Sequence, residues 1–556
     1  MADSPTYATR EEVDFVVIGS GSAGGILAKE LSTAGLKTVV LEQGPYRKQT
    51  DFTHDEIDVM LNGEFGDGGP RVNGQTFRDD ESKEATSPPS GFLGGYYYAQ
   101  TVGGSGVQFS ANFLRMREID FMERSVLGPI DGTNFADWPI SYEELEPYYS
   151  KVDWDVGVSG APGHFDAPRS RDFPMPPMTI NSSGALMAKG AAALGLHADV
   201  QPHAIVTKVH NGRAPCTKCG FCMFYGCEMG AKSSSLAAMI PLAEASGNCE
   251  IRAECAAFRI KTDASGRATE VLYYDADGNE QAQRTKAVVL SANGVESPRL
   301  LLMSANERQP DGLGNSSGYV GRNLMLNSHA FTSGIFEHTL NEFKGVQATR
   351  VVQDFYETDP KRGYFGGGGI DARAMFAATP LMYAMAGSPP DIKQWGGEFK
   401  NALAHNFSRQ MGLAVSGTSL PMDRNNITLD PNNTDQWGRQ SVRMTYRDHP
   451  DDLANVEFMR DRAMEILDAA GAVKAWSGEI GPSTGGVHLL GTCRMGDDPT
   501  TSVVDKYNRS HDVANLFICD GSSLVSSTRG QPTMTIMALA FRAAENIIKA
   551  AGSGDI

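Results

Sequence analysis

Half of the cysteines in this chain lie in one short run. Residues 215–232 read PCTKCGFCMFYGCEMGAK, in which Cys216, Cys219, Cys222 and Cys227 are separated by two, two and four residues. Disulfides explain this spacing poorly, because a bond between adjacent turns removes little loop entropy from the unfolded chain. Structural zinc usually takes two separated cysteine pairs, whereas closely spaced thiolates suit an iron–sulfur cluster. The run favours an iron–sulfur cluster, with zinc and the absence of a metal as the alternatives.

The other four cysteines have a different sequence context. Each lies in an apolar stretch that is typical of a strand, and free cysteine behaves there as a small apolar side chain. We therefore expect these four to be core residues: Cys249, Cys255, Cys493 and Cys519.

A glycine-rich turn near the N-terminus is the second pattern with chemical meaning. Residues 15–18 predict a buried parallel strand, and G-x-G-x-x-G follows at Gly19, Gly21 and Gly24. Such glycines permit a tight turn, close approach of the backbone to a pyrophosphate and close helix–strand packing. The helix predicted next, with Ile26, Leu27 and Leu31 on its inner face, would present free N–H groups and the positive end of its dipole to a phosphate.

A second predicted strand and an acidic residue complete this unit. Residues 38–41 are apolar, and Glu42 stands directly after them. A carboxylate in this place can accept hydrogen bonds from ribose hydroxyls, which favours a dinucleotide without a 2′-phosphate. Because strand, glycines, helix, strand and acid occur in order, the segment predicts a dinucleotide site, but it does not distinguish NAD from FAD.

Composition limits the classes of function. The chain has 556 residues and a formal net charge of −18, with 61 glycines and 41% hydrophobic residues. This charge argues against nucleic acid and anionic membranes as direct partners, and it would suit a basic protein partner. No window approaches the ~20 apolar residues of a membrane span. The first fifteen residues lack the apolar region of a signal peptide.

The order of the predicted strands and helices along the chain indicates an α/β protein (α+β overall) with two sheets. Residues 1–325 are interpreted as a Rossmann-like dinucleotide-binding domain, with a turn-rich insert at 45–98 and the cysteine segment at 210–232. Residues 326–484 are rich in aromatics, glycine and short alternating segments, which predicts a second, antiparallel-sheet domain for substrate. Residues 485–556 are expected to return to the first domain.

Motifs in matched order along nearly the whole chain resemble the glucose–methanol–choline (GMC) family of FAD oxidoreductases. These motifs are GSGSAGG followed by Glu42, TVGGSG…AN, ANGVESPRLLLMS, GRNLMLN, HLLGTCRMG and DGSSL…PTMTIMALA. The resemblance implies the GMC fold and FAD as the cofactor. It is strongest to the flavoprotein subunits of gluconate, fructose and FAD-dependent glucose dehydrogenases, which carry a similar cysteine motif.

The resemblance also implies which residues hold FAD. Gly19, Gly21, Gly24 and Glu42 would bind the ADP half. The flavin ring and its linker would be lined by a second group: Gly103, Gly104, Ser105 and Asn112. Asp520 and Gly521 would meet the ribityl–phosphate region. Some family members attach FAD covalently through a histidine in the second glycine segment, and residues 101–112 contain none, so we expect non-covalent FAD.

The catalytic residues are likewise carried over from the family. His488, in VHLLGTCRMG, matches the active-site histidine, and a neutral imidazole can accept a hydroxyl proton near neutral pH. The second family position is usually His or Asn, but Gln531 stands here. Glutamine can form hydrogen bonds but cannot act as a base, which leaves His488 as the expected base. We expect the other histidines to be structural or at the surface, among them His203, His210, His329 and His405.

In the related dehydrogenases the cysteines hold a three-iron cluster, so a 3Fe-4S cluster is expected and 4Fe-4S is possible. Cys216, Cys222 and Cys227 would be the three ligands, with Cys219 as the spare or as a fourth ligand. The resemblance further implies electron transfer to a cytochrome c acceptor. It also implies a small partner subunit with an export signal, which would place the chain in a bacterial periplasm or at the periplasmic face of the inner membrane; the alternative is the cytoplasm.

The expected function is therefore a dehydrogenase that oxidises an alcohol group of a sugar, glycoside or sugar acid. Electrons would pass from FAD through the cluster to an external acceptor. The alternatives are an oxygen-using alcohol oxidase with a structural cluster, a dehydrogenase of a non-sugar alcohol, and a flavin-binding subunit without activity.

Overall fold

The computed structural model of the chain describes residues 5–60, 74–88, 95–373 and 379–556. Part of the insert predicted at 45–98 therefore lies outside the described residues. The strands are, in chain order, β1 (Val13–Ile18), β2 (Thr38–Leu41), β3 (Thr76–Arg78), β4 (Gly95–Tyr96), β5 (Ala198–Val200), β6 (Cys249–Arg252), β7 (Ala256–Thr262), β8 (Ala268–Tyr274), β9 (Glu280–Leu290), β10 (His329–Ile335), β11 (Arg350–Val352), β12 (Gly368–Asp371), β13 (Gln410–Gly417), β14 (Asn426–Thr434), β15 (Gln440–Thr445), β16 (Lys474–Ser477), β17 (Gly485–Gly486) and β18 (Leu516–Ile518).

The helices are α1 (Ser22–Thr33), α2 (Glu56–Met60), α3 (Glu123–Leu127), α4 (Tyr142–Val152), α5 (Ser182–Ala193), α6 (Ser235–Ala238), α7 (Ile240–Ala245), α8 (Asn293–Met303), α9 (Pro380–Met382), α10 (Gly396–Asn406), α11 (Pro450–Ala470) and α12 (Thr533–Ser553). The two longest, α11 and α12, pack on different sheets.

The first sheet is built around β1. Strands β6, β2, β1, β9 and β18 are parallel neighbours, and β8 and β7 extend the sheet antiparallel from the N-terminal half of β9. Parallel strands covered on both faces are almost wholly apolar, as the sequence VDFVVI of β1 shows. Helix α1 packs on α12 and α7. Ile26, Leu27 and Leu31 are fully buried, which confirms the predicted inner face of α1.

The second sheet is antiparallel, in the order β16-β10-β13-β12-β11-β5. Helices α5 and α11 cover one face of it, where Met187, Met459 and Ile466 are fully buried. The Rossmann-like sheet and the antiparallel sheet together confirm the predicted fold class. Strand β5 joins this sheet from residues 198–200, and the domain boundaries at 325 and 484 stay predictions.

Segments from both sheets meet at one place. Strand β10 begins at His329, and β12 ends at Asp371. The segment after β17 runs beside the chain before β10, since the backbones of Leu490 and Met325 exchange two hydrogen bonds of 3.0 and 3.1 Å. The start of α12 at Thr533 closes the same region. The ends of several elements thus surround a single pocket between the two sheets.

Candidate active site

A cavity of about 330 Å³ runs from the glycine turn after β1 to the start of α12. Its walls bring together nine of the residues that the sequence predicted: Gly19, Gly21, Glu42, Gly104, Ser105, His488, Asp520, Gly521 and Gln531. The predicted ADP-binding end and the predicted catalytic end are therefore two ends of one elongated cavity.

The three glycines of the first turn differ in what surrounds them. A Cβ on Gly19, whose φ is +92°, would lie 2.5 Å from the carbonyl oxygen of Ser291. A Cβ on Gly24 would lie 2.0 Å from the carbonyl oxygen of Gly19, and Gly24 lies behind the cavity wall. A Cβ on Gly21 would meet no atom within 4 Å. Gly19 and Gly24 thus let the chain pack closely, while Gly21 leaves room where a pyrophosphate would approach.

Glu42 is held at the floor of this end. Its Oε2 accepts hydrogen bonds from Ser20 N at 3.1 Å and Ser20 Oγ at 2.7 Å, and its Oε1 accepts one from Gly44 N at 3.0 Å. Burial raises the pKa of Glu42, while the hydrogen bonds from Gly44 and Ser20 oppose that rise. A fixed acceptor at the end of β2 fits the ribose of a dinucleotide.

The second glycine turn packs directly on the first. Gly103 N donates to Ser20 Oγ at 2.9 Å, and a Cβ on Gly104 would lie 2.9 Å from Gly21 Cα. Gly104 and Ser105 line the cavity, whereas Gly103 lies behind them.

Asn112 is placed differently from the other predicted residues. It is buried outside the cavity lining, and its backbone pairs with that of His203. The predicted contact of Asn112 with the flavin therefore has no counterpart in the cavity wall.

Asp520 fixes the middle of the cavity. Its Oδ2 accepts hydrogen bonds from Asn293 N at 2.9 Å and Ser297 Oγ at 2.5 Å, and its Oδ1 accepts one from Ser522 N at 2.7 Å. Burial raises the pKa of Asp520, and these hydrogen bonds oppose the rise. The carboxyl group thereby joins the start of α8 to the turn after β18, where Gly521 follows.

The tautomer of His488 is set by Asn327. The Asn327 amide nitrogen donates to the carbonyls of Gly417 and Thr528 at 2.8 and 2.7 Å, so its Oδ1 must be the atom that faces His488. His488 Nδ1 lies 3.2 Å from that oxygen and must carry the proton. Nε2 is then the unprotonated nitrogen, with a lone pair that can accept a proton.

His329 is the second imidazole in the cavity wall. Its ring centroid lies 5.3 Å from that of His488, and the ring planes make an angle of 67°. His329 Nδ1 lies 3.3 Å from the carbonyl oxygen of Val415, an acceptor, so the proton again sits on Nδ1. His329, which the sequence led us to expect as a structural or surface residue, thus lies in the cavity wall beside the predicted base.

Both imidazoles are held neutral. The pKa of His488 lies well below its ordinary value, because burial disfavours the imidazolium and because His329 and Arg373 repel it. Burial also lowers the pKa of His329 to about 4, with a further contribution from Arg373. Two unprotonated nitrogens are thus available near neutral pH.

Gln531 and Arg373 complete this end of the cavity. The Gln531 Oε1 is buried without a hydrogen-bond partner among the residues that the structure describes. The guanidinium of Arg373 is paired with Asp371, since Nε lies 2.9 Å from Oδ1 and Nη2 lies 2.5 Å from Oδ2. Asp371 is 3% exposed.

The four clustered cysteines surround a second, smaller cavity. Cys216, Cys219, Cys222 and Cys227 all line a space of about 20 Å³. In the described part of the chain, the one set of three possible metal ligands within 4.8 Å of one another contains a single cysteine, Cys219, with two other side chains: His54 and Glu228. The four thiols therefore share one cavity without closing around a single ion.

Lys232 connects this cysteine loop to the large cavity. Its side chain is 3% exposed, and Nζ donates to the carbonyls of Cys222 and Tyr225 in the loop at 2.5 and 2.8 Å, and to that of Phe109 at 3.1 Å. Met223 and Phe224, directly after Cys222, line the large cavity. The two cavities are thus separated by a few residues of one loop.

No sequence motif predicts a chemical role for four residues of these sites: Asn327, His329, Arg373 and Lys232. Asn327 and His329 lie in or just after GRNLMLN, a motif that carries the family resemblance but predicts no site residue. Arg373 belongs to no motif in the sequence. Its partner Asp371 is the last residue of β12, and the sequence alone does not show that this strand ends at the cavity. The other four cysteines are buried, as expected.

Comparison with known proteins gives two matches to GMC oxidoreductase families, at residues 132–329 and 421–540, and a match to a FAD binding domain at residues 14–78. The chain is 34% identical to 2-methyl-1,2-propanediol dehydrogenase of Mycolicibacterium austroafricanum, over 97% of this chain and 95% of that protein. It is 29% identical to the gluconate 2-dehydrogenase flavoprotein of Pantoea cypripedii, over 97% and 94%.

A solved structure of a formate oxidase variant from Aspergillus oryzae has the same fold, with a TM-score of 0.68 at 15% identity, and the match covers 99% of this chain and 100% of that one. Among the helices that the structure describes, none combines the length and apolarity that crossing a membrane requires.

Proposed function

The chain belongs to the GMC oxidoreductase family, and on that basis we propose that it is an FAD-dependent dehydrogenase that oxidises an alcohol carbon and passes the electrons to an iron–sulfur cluster. Alcohol oxidation removes a hydride from the carbon and a proton from its oxygen, and it leaves a carbonyl. Bound FAD supplies the hydride acceptor. The protein must hold the cofactor, accept the proton and orient the substrate.

The observation that carries this proposal is the His488–Asn327 pair. Asn327 directs the unprotonated Nε2 of His488 away from itself, at the end of the cavity opposite Glu42. Nε2 accepts the hydroxyl proton as the carbon loses its hydride, which is general-base catalysis by a positioned imidazole. Gln531 lines the same end and can hydrogen-bond the substrate but not take its proton.

The proposed binding of FAD rests on the shape of the cavity and on the hydrogen-bonding groups in its wall. Gly21 leaves open space beside the N-terminus of α1, Glu42 presents acceptors at the end of β2, and Gly104 packs against Gly21. Asp520 and Gly521 line the wall between the two ends. We propose that FAD is bound non-covalently.

The proposed cluster would be held by the cysteine loop. The four thiols line one small cavity, but no three of them lie within 4.8 Å of one another among the described residues, so the proposed cluster rests on the spacing of the cysteines and on the family resemblance. Because Cys219 lies with His54 and Glu228, the residues favoured as ligands are Cys216, Cys222 and Cys227. A 3Fe-4S cluster held there would accept electrons one at a time, and Met223 and Phe224 would lie between it and the flavin.

The partners belong to the same proposal. We propose a cytochrome c acceptor and a small subunit that carries an export signal, with the chain in the periplasm. The support is the resemblance to dehydrogenase flavoproteins and the net charge of −18, which suits a basic partner.

Anaerobic reduction of the bound flavin tests the catalytic part. We expect alcohols to bleach the flavin absorbance of the purified protein, and we expect His488→Ala to abolish the bleaching while the protein keeps FAD. His405→Ala, an exposed histidine on α10, is the matched control and should bleach normally. Stoichiometric peroxide formation in air would instead indicate an alcohol oxidase.

Iron and sulfide analysis with low-temperature electron paramagnetic resonance tests the cluster. We expect Cys222→Ser to lose iron and Cys219→Ser to keep it. Zinc in place of iron, or no bound metal, would contradict the relay while leaving the flavin chemistry intact.

A further inference from the structure

Three side chains that commonly bind metals meet at the edge of the cysteine loop and take no part in the proposed flavin chemistry. His54 Nε2 lies 3.0 Å from Glu228 Oε2. One ligand atom from each of these two side chains and the Sγ of Cys219 all lie within 4.8 Å of one another. All three residues are half-buried, so solvent and a small ion can reach them. Imidazole, thiolate and carboxylate are the ligand types that zinc takes in proteins.

The two segments that supply these side chains are packed tightly against each other. His54 comes from the insert predicted at 45–98, and the other two ligands come from the cysteine loop. A Cβ on Gly226 would lie 2.1 Å from Phe52 Cδ1, and a Cβ on Gly230 would lie 2.3 Å from Gln49 Nε2. The insert and the loop are therefore in close contact on both sides of the group, which brings the ligands together before any ion binds.

The ring of His54 is held in one plane by two aromatic neighbours. It stacks on Phe221 with ring centroids 4.1 Å apart and an angle of 10° between the planes. Tyr225 meets it edge-on, with centroids 6.3 Å apart and an angle of 89°. Contacts at the face and at the edge fix the direction of the ring nitrogens, so Nε2 stays directed at Glu228.

The charges of the three ligands match those of a divalent ion. A metal takes the deprotonated thiol, so Cys219 and Glu228 together carry two negative charges beside a neutral imidazole. Among the described residues, Glu228 forms an ion pair with His54 alone, and no lysine or arginine compensates it. His197 and Asp354 make a similar contact of 2.9 Å, but no third ligand joins that pair in the described part of the chain.

We propose that His54, Cys219 and Glu228 bind one Zn²⁺ ion, with water in the fourth position, and that this ion fastens the insert to the cysteine loop. Tetrahedral zinc holds its ligand atoms about 3.4–3.6 Å apart, so atoms already within 4.8 Å need only small side-chain movements to close on the ion. Binding releases the thiol proton of Cys219 to solvent. Zinc has no redox chemistry, so the inference goes beyond the proposed function: neither the flavin nor the electron relay requires this ion.

Element-specific measurements on the purified protein, with its FAD and iron in place, test the site. The protein is equilibrated with Zn²⁺, freed from unbound metal and analysed for zinc by mass spectrometry. We expect one zinc ion per chain, with a zinc K-edge absorption spectrum that shows one sulfur at about 2.3 Å and otherwise nitrogen or oxygen at about 2.0–2.2 Å. Three or four sulfur ligands, or a protein that retains no zinc, would overturn the proposal.

Substitutions assign the ligands. His54→Phe keeps a ring to stack on Phe221 but removes the ligand, and Glu228→Gln removes the charge. Each should weaken zinc binding by about 100-fold or more, since even the loss of an outer-shell partner costs about 10–100-fold, and each should keep its iron and FAD. His197→Ala is the matched control and should retain zinc. Iron lost together with zinc from both variants would assign these side chains to the cluster and overturn a separate site.

Amide hydrogen exchange tests the fastening itself. Peptides that cover residues 52–60 and 216–230 should exchange at least about tenfold more slowly in the zinc-loaded protein than in the zinc-free protein, because the ion stabilises the closed arrangement. The difference should disappear in His54→Phe. Equal exchange in the two forms, with zinc bound in one of them, would show that the ion does not join the insert to the loop.

Discussion

At the scale of single residues, the catalytic end of the cavity depends on side chains that fix one another. His488 alone could adopt either tautomer, but the Asn327 amide is itself held by two carbonyls and leaves its oxygen as the acceptor. Asn327 has a φ of +56°, a left-handed conformation that asparagine tolerates better than most residues. The base is therefore positioned by a residue that the sequence could identify as part of a motif but not as part of the site.

The depressed pKa of His488 predicts a rate profile that extends to acidic pH. The imidazole must be neutral to accept a proton, and its pKa in the folded protein lies well below its ordinary value of 6.5. As the pH is lowered, His488 therefore remains neutral and active at pH 6.5. The imidazole becomes protonated, and the rate falls, only when the pH passes through the lower pKa of the folded protein. Rates of anaerobic flavin reduction by 1-butanol, measured after brief pH jumps, should show an acid limb with its midpoint below 6.5.

Arg373→Met provides the comparison for this profile. Removing a nearby positive charge eases protonation of His488, so the acid limb should move upward, toward 6.5. An unaltered protein whose limb lies at or above 6.5 would show that the imidazole is not held neutral by its surroundings.

The same histidines predict the direction of the pH dependence of stability. In the unfolded chain each histidine titrates near 6.5, whereas in the folded chain both pKa values are lower. Below pH 6.5 the unfolded state therefore binds more protons, and the free energy of unfolding falls as the pH is lowered toward the folded-state values.

At the scale of elements, the strand–glycine–helix unit was predicted almost completely. Its buried strands, its three glycines and the inner face of α1 follow from local rules of packing and turn geometry, which act over a few residues. The cavity wall at the other end did not follow. His329 begins β10 and Arg373 follows β12, and their meeting depends on how β10, β13 and β12 pair, which no local pattern encodes.

Two of the glycines predict opposite outcomes for one substitution. Gly24→Ala places a methyl group 2.0 Å from the Gly19 carbonyl oxygen, which should force α1 away from β1 and cost about 2 kcal/mol of unfolding free energy or more. The methyl group of Gly21→Ala would meet no protein atom within 4 Å, so the free energy of unfolding should change by less than about 0.5 kcal/mol.

The FAD content separates the two variants further. The Gly21→Ala methyl points into the space proposed for the pyrophosphate, so FAD affinity should fall although the fold is intact. Urea unfolding of the FAD-free proteins and fluorescence titration with FAD measure the two quantities. A Gly21→Ala variant with unchanged FAD affinity would contradict the placement of the pyrophosphate.

Lys232 makes a prediction about the cysteine loop. Its buried ammonium group satisfies three backbone carbonyls from two segments. Lys232→Met leaves these carbonyls without a donor, which should lower the free energy of unfolding by about 2–4 kcal/mol. Lys208→Met changes an exposed lysine nearby and should be close to neutral. Denaturant unfolding measures both, and equal effects would show that the loop does not depend on Lys232.

At the scale of the whole molecule, composition and motif order predicted both sheets but not α11, which covers one face of the second sheet. They could not place β5, since three residues from the first half of the chain pair with β11 at the edge of the second sheet. They also could not show that the cysteine cavity and the large cavity are neighbours, because residues 216–227 and 101–112 come together only through the tertiary fold.

The net charge predicts how the molecule meets an electron acceptor. With a formal charge of −18, the protein should attract a basic cytochrome over a distance that salt shortens, because the Debye length falls from about 30 Å at 10 mM to about 8 Å at 150 mM ionic strength. The bimolecular rate of cytochrome c reduction should therefore fall by about tenfold over that range. A neutral quinone acceptor supplies the control, since its reduction should change little with salt. A cytochrome rate that is independent of salt, or that rises with it, would show that the acidic surface does not guide the acceptor, whatever the rate at which the flavin is reduced.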